Sequence, residues 1–297
     1  FGGTSYSGAT QISQYVSYSY IGTKIEYSIL KYYIPSSLKS VVITDETKIG
    51  YGAFSGCEDL ISVVIPSSVT SIDEMAFYNC KGLRSVAIPA CVTRLSTTFP
   101  QSYNSITNLI IQEGRTSVES VLLAGCSRLS SVTIPSSMRR IESSAFSGCS
   151  LLMRVDIADL AKWCEIEFTD YDSNPIAYAS ARNVCLRLNG TVVNDVVIPN
   201  TATRVGQFAF YSSKITSLSI GNGVRSIGKS AFSGCRSLES VTIGAGLESL
   251  DAHAFERCVA LKTVNIKDVG RWCAVSVASS YDSTPLGSGR TLCLYGT

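Results

Sequence analysis

The sequence predicts an α/β solenoid, mostly β: a right-handed superhelix with one parallel β-sheet face and short helical or 3₁₀ turns on the far side. Three observations predict it. Cys57, Cys80, Cys126 and Cys149 are spaced 23, 46 and 23 residues apart, and Cys235 and Cys258 again 23 apart. A Leu-x-x-Val-x-Ile run follows each of these cysteines, from Leu60-Val63-Ile65 to Leu261-Val264-Ile266. An Ala-Phe pair precedes five of them, as at Ala53-Phe54 and Ala231-Phe232.

Residues 1–33 hold seven of the 15 tyrosines and no copy of the repeat. Segments such as Tyr18-Ser19-Tyr20-Ile21 predict a strand-rich N-terminal cap, or the end of a preceding spacer unit. From residue 34 to 297 a single solenoid is expected. In each coil the Val and Ile of the run alternate inward, so the run is one short strand and the residue between them points out. Proline after Ile, as in Ile65-Pro66, suits a strand end where no ladder N–H is needed. The Ala-Phe pair is expected in a short helical or 3₁₀ turn. One coil cannot bury its own apolar face, so neighbours must stack. The copy around Tyr103, Ile106, Leu109 and Ile111 is degenerate but in register, and the copy at Ala209-Phe210 lacks its cysteine.

A longer unit is duplicated. Asp156-Ile157-Ala158-Asp159-Leu160-Ala161-Lys162-Trp163-Cys164 recurs 109 residues later as Asn265-Ile266-Lys267-Asp268-Val269-Gly270-Arg271-Trp272-Cys273. Tyr171-Asp172-Ser173-Asn174-Pro175 recurs as Tyr281-Asp282-Ser283-Thr284-Pro285, and Cys185-Leu186 is read as the counterpart of Cys293-Leu294. Spacer units are therefore expected at 156–190 and 265–297, each a strand, a short helix with Trp-Cys, a loop and a return strand.

Composition narrows the function. Apolar residues make up 45%, too many for a disordered chain. Charged residues make up only 16%, against about 25% in a typical domain; 46 serines take their place. A net charge of +2 carries no electrostatic footprint for nucleic acid or anionic membrane. No apolar run reaches the roughly 20 residues of a membrane span. A single histidine, His253, argues against His-rich metal sites and most general-base chemistry. The chain starts Phe1-Gly2-Gly3 and stops inside a motif, so it is read as an excerpt of a longer protein.

The residues Ile65-Pro66-Ser67-Ser68-Val69-Thr70-Ser71-Ile72, the Ala-Phe-Ser-Gly-Cys segments at 145–149 and 231–235, and the recurring Leu-x-x-Val-x-Ile strands resemble the BspA-like leucine-rich-repeat proteins. The resemblance covers about residues 34–297. It implies an exported protein, extracellular or on a bacterial cell surface, acting in adhesion or in binding a protein or glycan ligand of a host or microbial surface. It implies no enzymatic activity, no cofactor and no shared ligand-binding residues. Two other functions stay open: a passive spacer projecting another domain, and an accessory module of a carbohydrate-processing enzyme.

The outward strand positions are the place to seek a partner surface. They begin Val42, Val64, Ala87 and Ile110, an apolar stripe on a face that should be wet. The stripe is read either as a partner surface, as β-propensity alone, or as residues covered by the tyrosine-rich N-terminal segment. The six periodic cysteines are expected as a reduced core ladder. Off that ladder, Cys164 with Cys185 and Cys273 with Cys293 are either disulfides, each worth roughly 3 kcal/mol, or buried free thiols. Cys91 sits in a turn position and is expected as an exposed thiol.

Three further constellations read better as structure than as chemistry. Asp170-x-Asp172-x-Asn174 opens like a calcium loop, but Pro175 stands where glycine is needed and Ala181 where the bidentate glutamate should be. His253 with Cys258 resembles a base–nucleophile pair, but Cys258 is a ladder residue. Trp163 and Trp272 are expected as core plugs of the spacers, and Asn189-Gly190-Thr191 as a tight turn.

Overall fold

The computed structural model describes residues 9–21, 24–35, 37–73, 75–92, 98–99, 102–120, 122–123, 125–177, 184–278, 284–286 and 291–294, with backbone alone for 9–34. It is a β-solenoid of about ten turns with parallel sheets and few helices. By contact the chain forms two compact units: residues 1–115, 121–132 and 147–151, and residues 116–120, 133–146 and 152–297.

The first unit opens with an antiparallel hairpin. Strand Ala9–Ile21 pairs with Lys24–Pro35, with a register irregularity between Tyr15 and Ser17. Four parallel strands follow, Ser40–Val42, Ser62–Val64, Ser85–Ile88 and Asn108–Ile111, paired one coil apart. Their inward residues Val63, Val86 and Leu109 are buried. In the second unit Arg154–Ile157 pairs parallel with Cys185–Leu188. A two-residue turn through Asn189 and Gly190, both at positive φ, then joins it to Thr191–Val192 in a hairpin. Five parallel strands complete the unit: Asp195–Ile198, Ser217–Ile220, Ser240–Ile243, Thr263–Ile266 and Thr291–Leu294.

Each unit also carries a narrow second row that the repeat reading did not foresee. Two-residue strands such as Arg204–Val205, Ser226–Ile227, Ser249–Leu250 and Ser276–Val277 pair in parallel. Lys48–Ile49 and Ser71–Ile72 do the same in the first unit. Of their second residues, Ile49, Val205, Ile227 and Leu250 belong to the core, whereas Val277 is exposed.

Where a helical or 3₁₀ turn was expected at Ala-Phe, the coil makes consecutive turns bounded by two left-handed residues. One stands just before Ala: Gly52, Met75, Ser144, Phe208, Ser230 and His253. The other stands two after Phe: Gly56, Asn79, Gly148, Ser212, Gly234 and Arg257. The physical reason lies in the hydrogen bonds. Phe54 N donates to Ala76 O at 2.7 Å, Phe210 N to Ala231 O at 2.8 Å and Phe232 N to Ala254 O at 2.9 Å. A helix would keep these donors within its own coil; here they join each coil to the next and satisfy buried backbone.

The phenylalanines stack beneath the turns. Centroids of Phe54 and Phe77 lie 5.3 Å apart, Phe210 and Phe232 5.3 Å, and Phe232 and Phe255 5.2 Å. Beside them all six periodic cysteines are buried free thiols. Cys80 Sγ donates to Phe54 O at 3.1 Å, Cys235 to Phe210 O at 3.1 Å and Cys258 to Phe232 O at 3.2 Å. Burial pushes the Cys57, Cys80 and Cys126 thiols up to about 12.

Candidate binding surface

In the first unit Val42, Val64, Ala87 and Ile110 pair directly across successive strands, one per coil. Strand alternation then puts them on the face opposite Val63, Val86 and Leu109. Val42 is 64% exposed, Val64 39% and Ile110 37%, whereas Ala87 is only 6% exposed. The exposed apolar row is therefore interrupted at Ala87, which is buried. Whether the tyrosines of residues 6–33 cover this row lies outside the described side chains.

A polar row runs beside the apolar one, two residues earlier on each strand. Ser62 Oγ donates to Ser40 Oγ at 3.1 Å, and Asn108 Nδ2 to Ser85 Oγ at 2.9 Å. These groups engage one another along the sheet. In the second unit the equivalent row turns polar after Val197, through Ser219, Thr242 and Asn265, with Asn265 Nδ2 donating to Thr242 Oγ1 at 3.2 Å. On the strands of the first spacer, Asp156 meets Arg154 Nε at 2.9 Å and Arg187 Nε at 3.8 Å. Ion pairs this open to solvent contribute about 0–1 kcal/mol each.

The first spacer is a packing device. Helix α1 (Leu160–Glu165) is capped by Asp159, whose side chain accepts from Lys162 N at 3.1 Å. Trp163 is buried, donates Nε1–H to Ala209 O at 3.0 Å and meets Phe168 edge-on at 5.2 Å. Asp170 caps the 3₁₀ turn Tyr171–Ser173, accepting from Ser173 N at 2.8 Å. Asn174 is buried, donates to Phe208 O at 2.6 Å and Ala209 O at 3.0 Å, and accepts from Ile176 N. The calcium-like triplet is thus a cap and a bridge between coils. Of its second copy, Asp282 lies outside the described residues, as does Ala181.

Helix α2 (Val269–Cys273) repeats the cap, Asp268 accepting from Arg271 N at 2.9 Å. Its burial differs: Trp272 is half-buried and Cys273 exposed. The strand register also corrects the alignment of the two spacers. Arg154 pairs with Cys185, while its counterpart Thr263 pairs with Thr291. Cys293 therefore occupies the position of Arg187, not of Cys185. The shared run is Leu188-Asn189-Gly190-Thr191 with Leu294-Tyr295-Gly296-Thr297, a sequence signal that would have set the register.

None of these four cysteines is in a disulfide in this structure: Cys164 is buried, Cys185 and Cys293 are half-buried and Cys273 is exposed. Cys185 lies on the outer side of its strand in register with Arg154, whereas Cys164 faces the interior. Burial raises the Cys164 thiol, and Glu165 and Asp159 add to the shift. Cys91 is half-buried, and burial raises its thiol against the opposing Arg115 charge. His253 Nδ1 lies 3.4 Å from Glu256 Oε2, while Cys258 donates into the turn interior, so the two do not form a base–nucleophile pair.

Among the described residues no helix is long and apolar enough to cross a membrane. A family model described as the BspA type leucine rich repeat region matches residues 23–153 and 188–272 in six copies. No curated protein matches the sequence. Among solved structures, a leucine-rich repeat protein from Bacteroides ovatus is 19% identical with a TM-score of 0.26, over 98% of this chain and 100% of that one. A leucine rich cell surface protein from Faecalibacterium prausnitzii is 19% identical with a TM-score of 0.30, over 87% and 88%. The pneumococcal vaccine antigen PcpA is 13% identical with a TM-score of 0.35, over 98% and 93%.

Proposed function

The chain belongs to the BspA-type leucine-rich-repeat family, and from that premise we propose that it is a non-enzymatic binding scaffold of a bacterial cell surface. It acts in adhesion, recognising a protein or glycan through the outer face of its sheet. The observation that carries this reading is the row Val42, Val64 and Ile110, exposed apolar side chains aligned one per coil. Isolated exposed valines need no explanation, but an aligned row on a rigid sheet is the kind of patch that partners cover. The dip at Ala87 and the hydroxyl row beside it supply shape and hydrogen-bonding groups at the edge of the patch. Recognition then spreads over many weak contacts around a few apolar anchors.

An array of purified extracellular-matrix proteins and glycans tests this reading. The whole chain is expected to retain at least one member of the array. A chain that binds none of them is instead a passive spacer.

A further inference from the structure

The first spacer and the coil after it bring three aromatic rings together at their turns, within the second unit. Asp170 caps the turn Tyr171–Ser173, and its Oδ2 accepts from Ser143 Oγ at 2.5 Å. Asn174 ties that turn to Phe208 O and Ala209 O, and Gln207 Nε2 donates to Phe168 O at 2.7 Å. The two backbone segments that carry the rings are therefore fastened to each other. Tyr211 stands between the other two rings. Its centroid is 5.9 Å from that of Tyr171, tilted by 39°, and 6.0 Å from that of Phe208, crossed at 75°. Tyr171 is 49% exposed, and Phe208 and Tyr211 are half-buried.

The residue types differ from those of the other coils. Tyr211 stands where three of them have Ser55, Ser147 and Ser233. Phe208 holds φ +59 at the left-handed position that Gly52, Ser144 and Ser230 fill elsewhere. A bulky side chain is disfavoured in that conformation, and this one leaves its ring partly open to solvent instead of completing the core. Strained residues of this kind cluster at binding sites.

Charge lies at the rim of the rings. The Asp172 carboxylate raises the neighbouring Tyr171 hydroxyl above its ordinary value, and Asp170 adds to the shift. Ring faces attract a cation within about 6 Å of the centroid, and carboxylates beside them reinforce that attraction and repel anions. A neutral sugar would gain from the rings and nothing from the charges.

We propose that Tyr171, Phe208 and Tyr211, flanked by Asp170 and Asp172, form a seat for a basic side chain, an arginine of a protein partner. The guanidinium plane lies against the rings and its N–H groups reach the carboxylate edge, a pairing that a planar fork makes better than an ammonium. The site belongs to the turns and not to the strand rows of the sheet.

The test titrates the whole chain with the blocked peptide acetyl-Gly-Arg-Gly-amide and reads Kd by ligand-observed NMR. A matched peptide with citrulline, which keeps the shape and loses the charge, should bind ~10-fold more weakly or less. Phe208→Gly removes a ring where glycine suits the backbone, so it should weaken the arginine peptide ~5-fold or more with Tm lowered by no more than ~3 °C. Tyr171→Ala, at an exposed ring, should weaken it similarly, and it alone decides if Phe208→Gly lowers Tm further. The double variant Val64→Ser, Ile110→Ser should leave this Kd unchanged, so the seat and the sheet row stand or fall separately. Equal binding of the arginine and citrulline peptides overturns the proposal, as does a Kd unmoved by Tyr171→Ala. No binding of the arginine peptide at ~10 mM overturns it too.

Discussion

Cys80, Cys235 and Cys258 each fill the turn interior and donate to the phenylalanine carbonyl of the coil before. Replacing Cys235 with Ala removes that donor, while Phe210 O still accepts from Ser213 N at 3.0 Å. The expected cost is about 0.5–1.5 kcal/mol, read by urea denaturation. The same thiols make stability fall at high pH. A thiol with an unfolded value of 9.0 that the fold holds at about 12 keeps its proton in the native state while the unfolded chain loses it. Stability from this source is intact below pH 9 and lost as pH rises from 9 toward 12. Cys126→Ala should flatten that decline relative to wild type when both are titrated with denaturant. Arg257 holds φ +58 at the position where Gly56, Gly148 and Gly234 stand. Arg257→Gly should therefore stabilise by about 0.5–1 kcal/mol. The cysteine period was legible because one residue type marks it in six coils. The left-handed positions were not, since Met75, Phe208, His253 and Arg257 occupy them against their own preference, held by hydrogen bonds between coils that no local sequence shows.

The main-sheet strands were legible as elements because Val and Ile recur two apart on a fixed period. The narrow second row was not, since two residues such as Ser226-Ile227 are too short to display alternation. Within the spacers, the cap residues Asp159 and Asp268 and the Trp-Cys helices stood out by duplication. Sequence alone could not tell that the copies differ in burial, which depends on what stacks against them. Trp163→Ala should cost about 3–5 kcal/mol, and Trp272→Ala distinctly less, because one indole is enclosed and the other half-open. The misread cysteine register arose from matching Cys185 with Cys293 by residue type, when the Leu-x-Gly-Thr run carries the strand pairing. With none of the four spacer cysteines in a disulfide, iodoacetamide on denatured, unreduced protein should add eleven groups. Nine or seven would instead place one or both spacer pairs in disulfides.

Within each unit the 23-residue period makes an outer sheet face out of successive coils, and the two units differ in its character. Apolar Val42, Val64 and Ile110 mark the first unit, and Ser219, Thr242 and Asn265 the corresponding row of the second. That a face exists was legible from the repeat; that Ala87 is buried on it was not, because burial depends on what packs over a side chain and not on its place in the repeat. Many of the serines also belong to the repeat, at strand starts such as Ser62, Ser85, Ser131, Ser217 and Ser240 and in the Pro-Ser-Ser turns at 35–37, 66–68 and 135–137. The central claim is that the apolar row binds a partner and is not core. The most direct measurement compares wild type with the double variant Val64→Ser, Ile110→Ser, using Kd for an array-identified ligand and Tm of the free protein. The account predicts a Kd weakened ~10-fold or more with Tm changed by less than ~2 °C. An unchanged Kd, or a Tm lowered by ~10 °C, would contradict it.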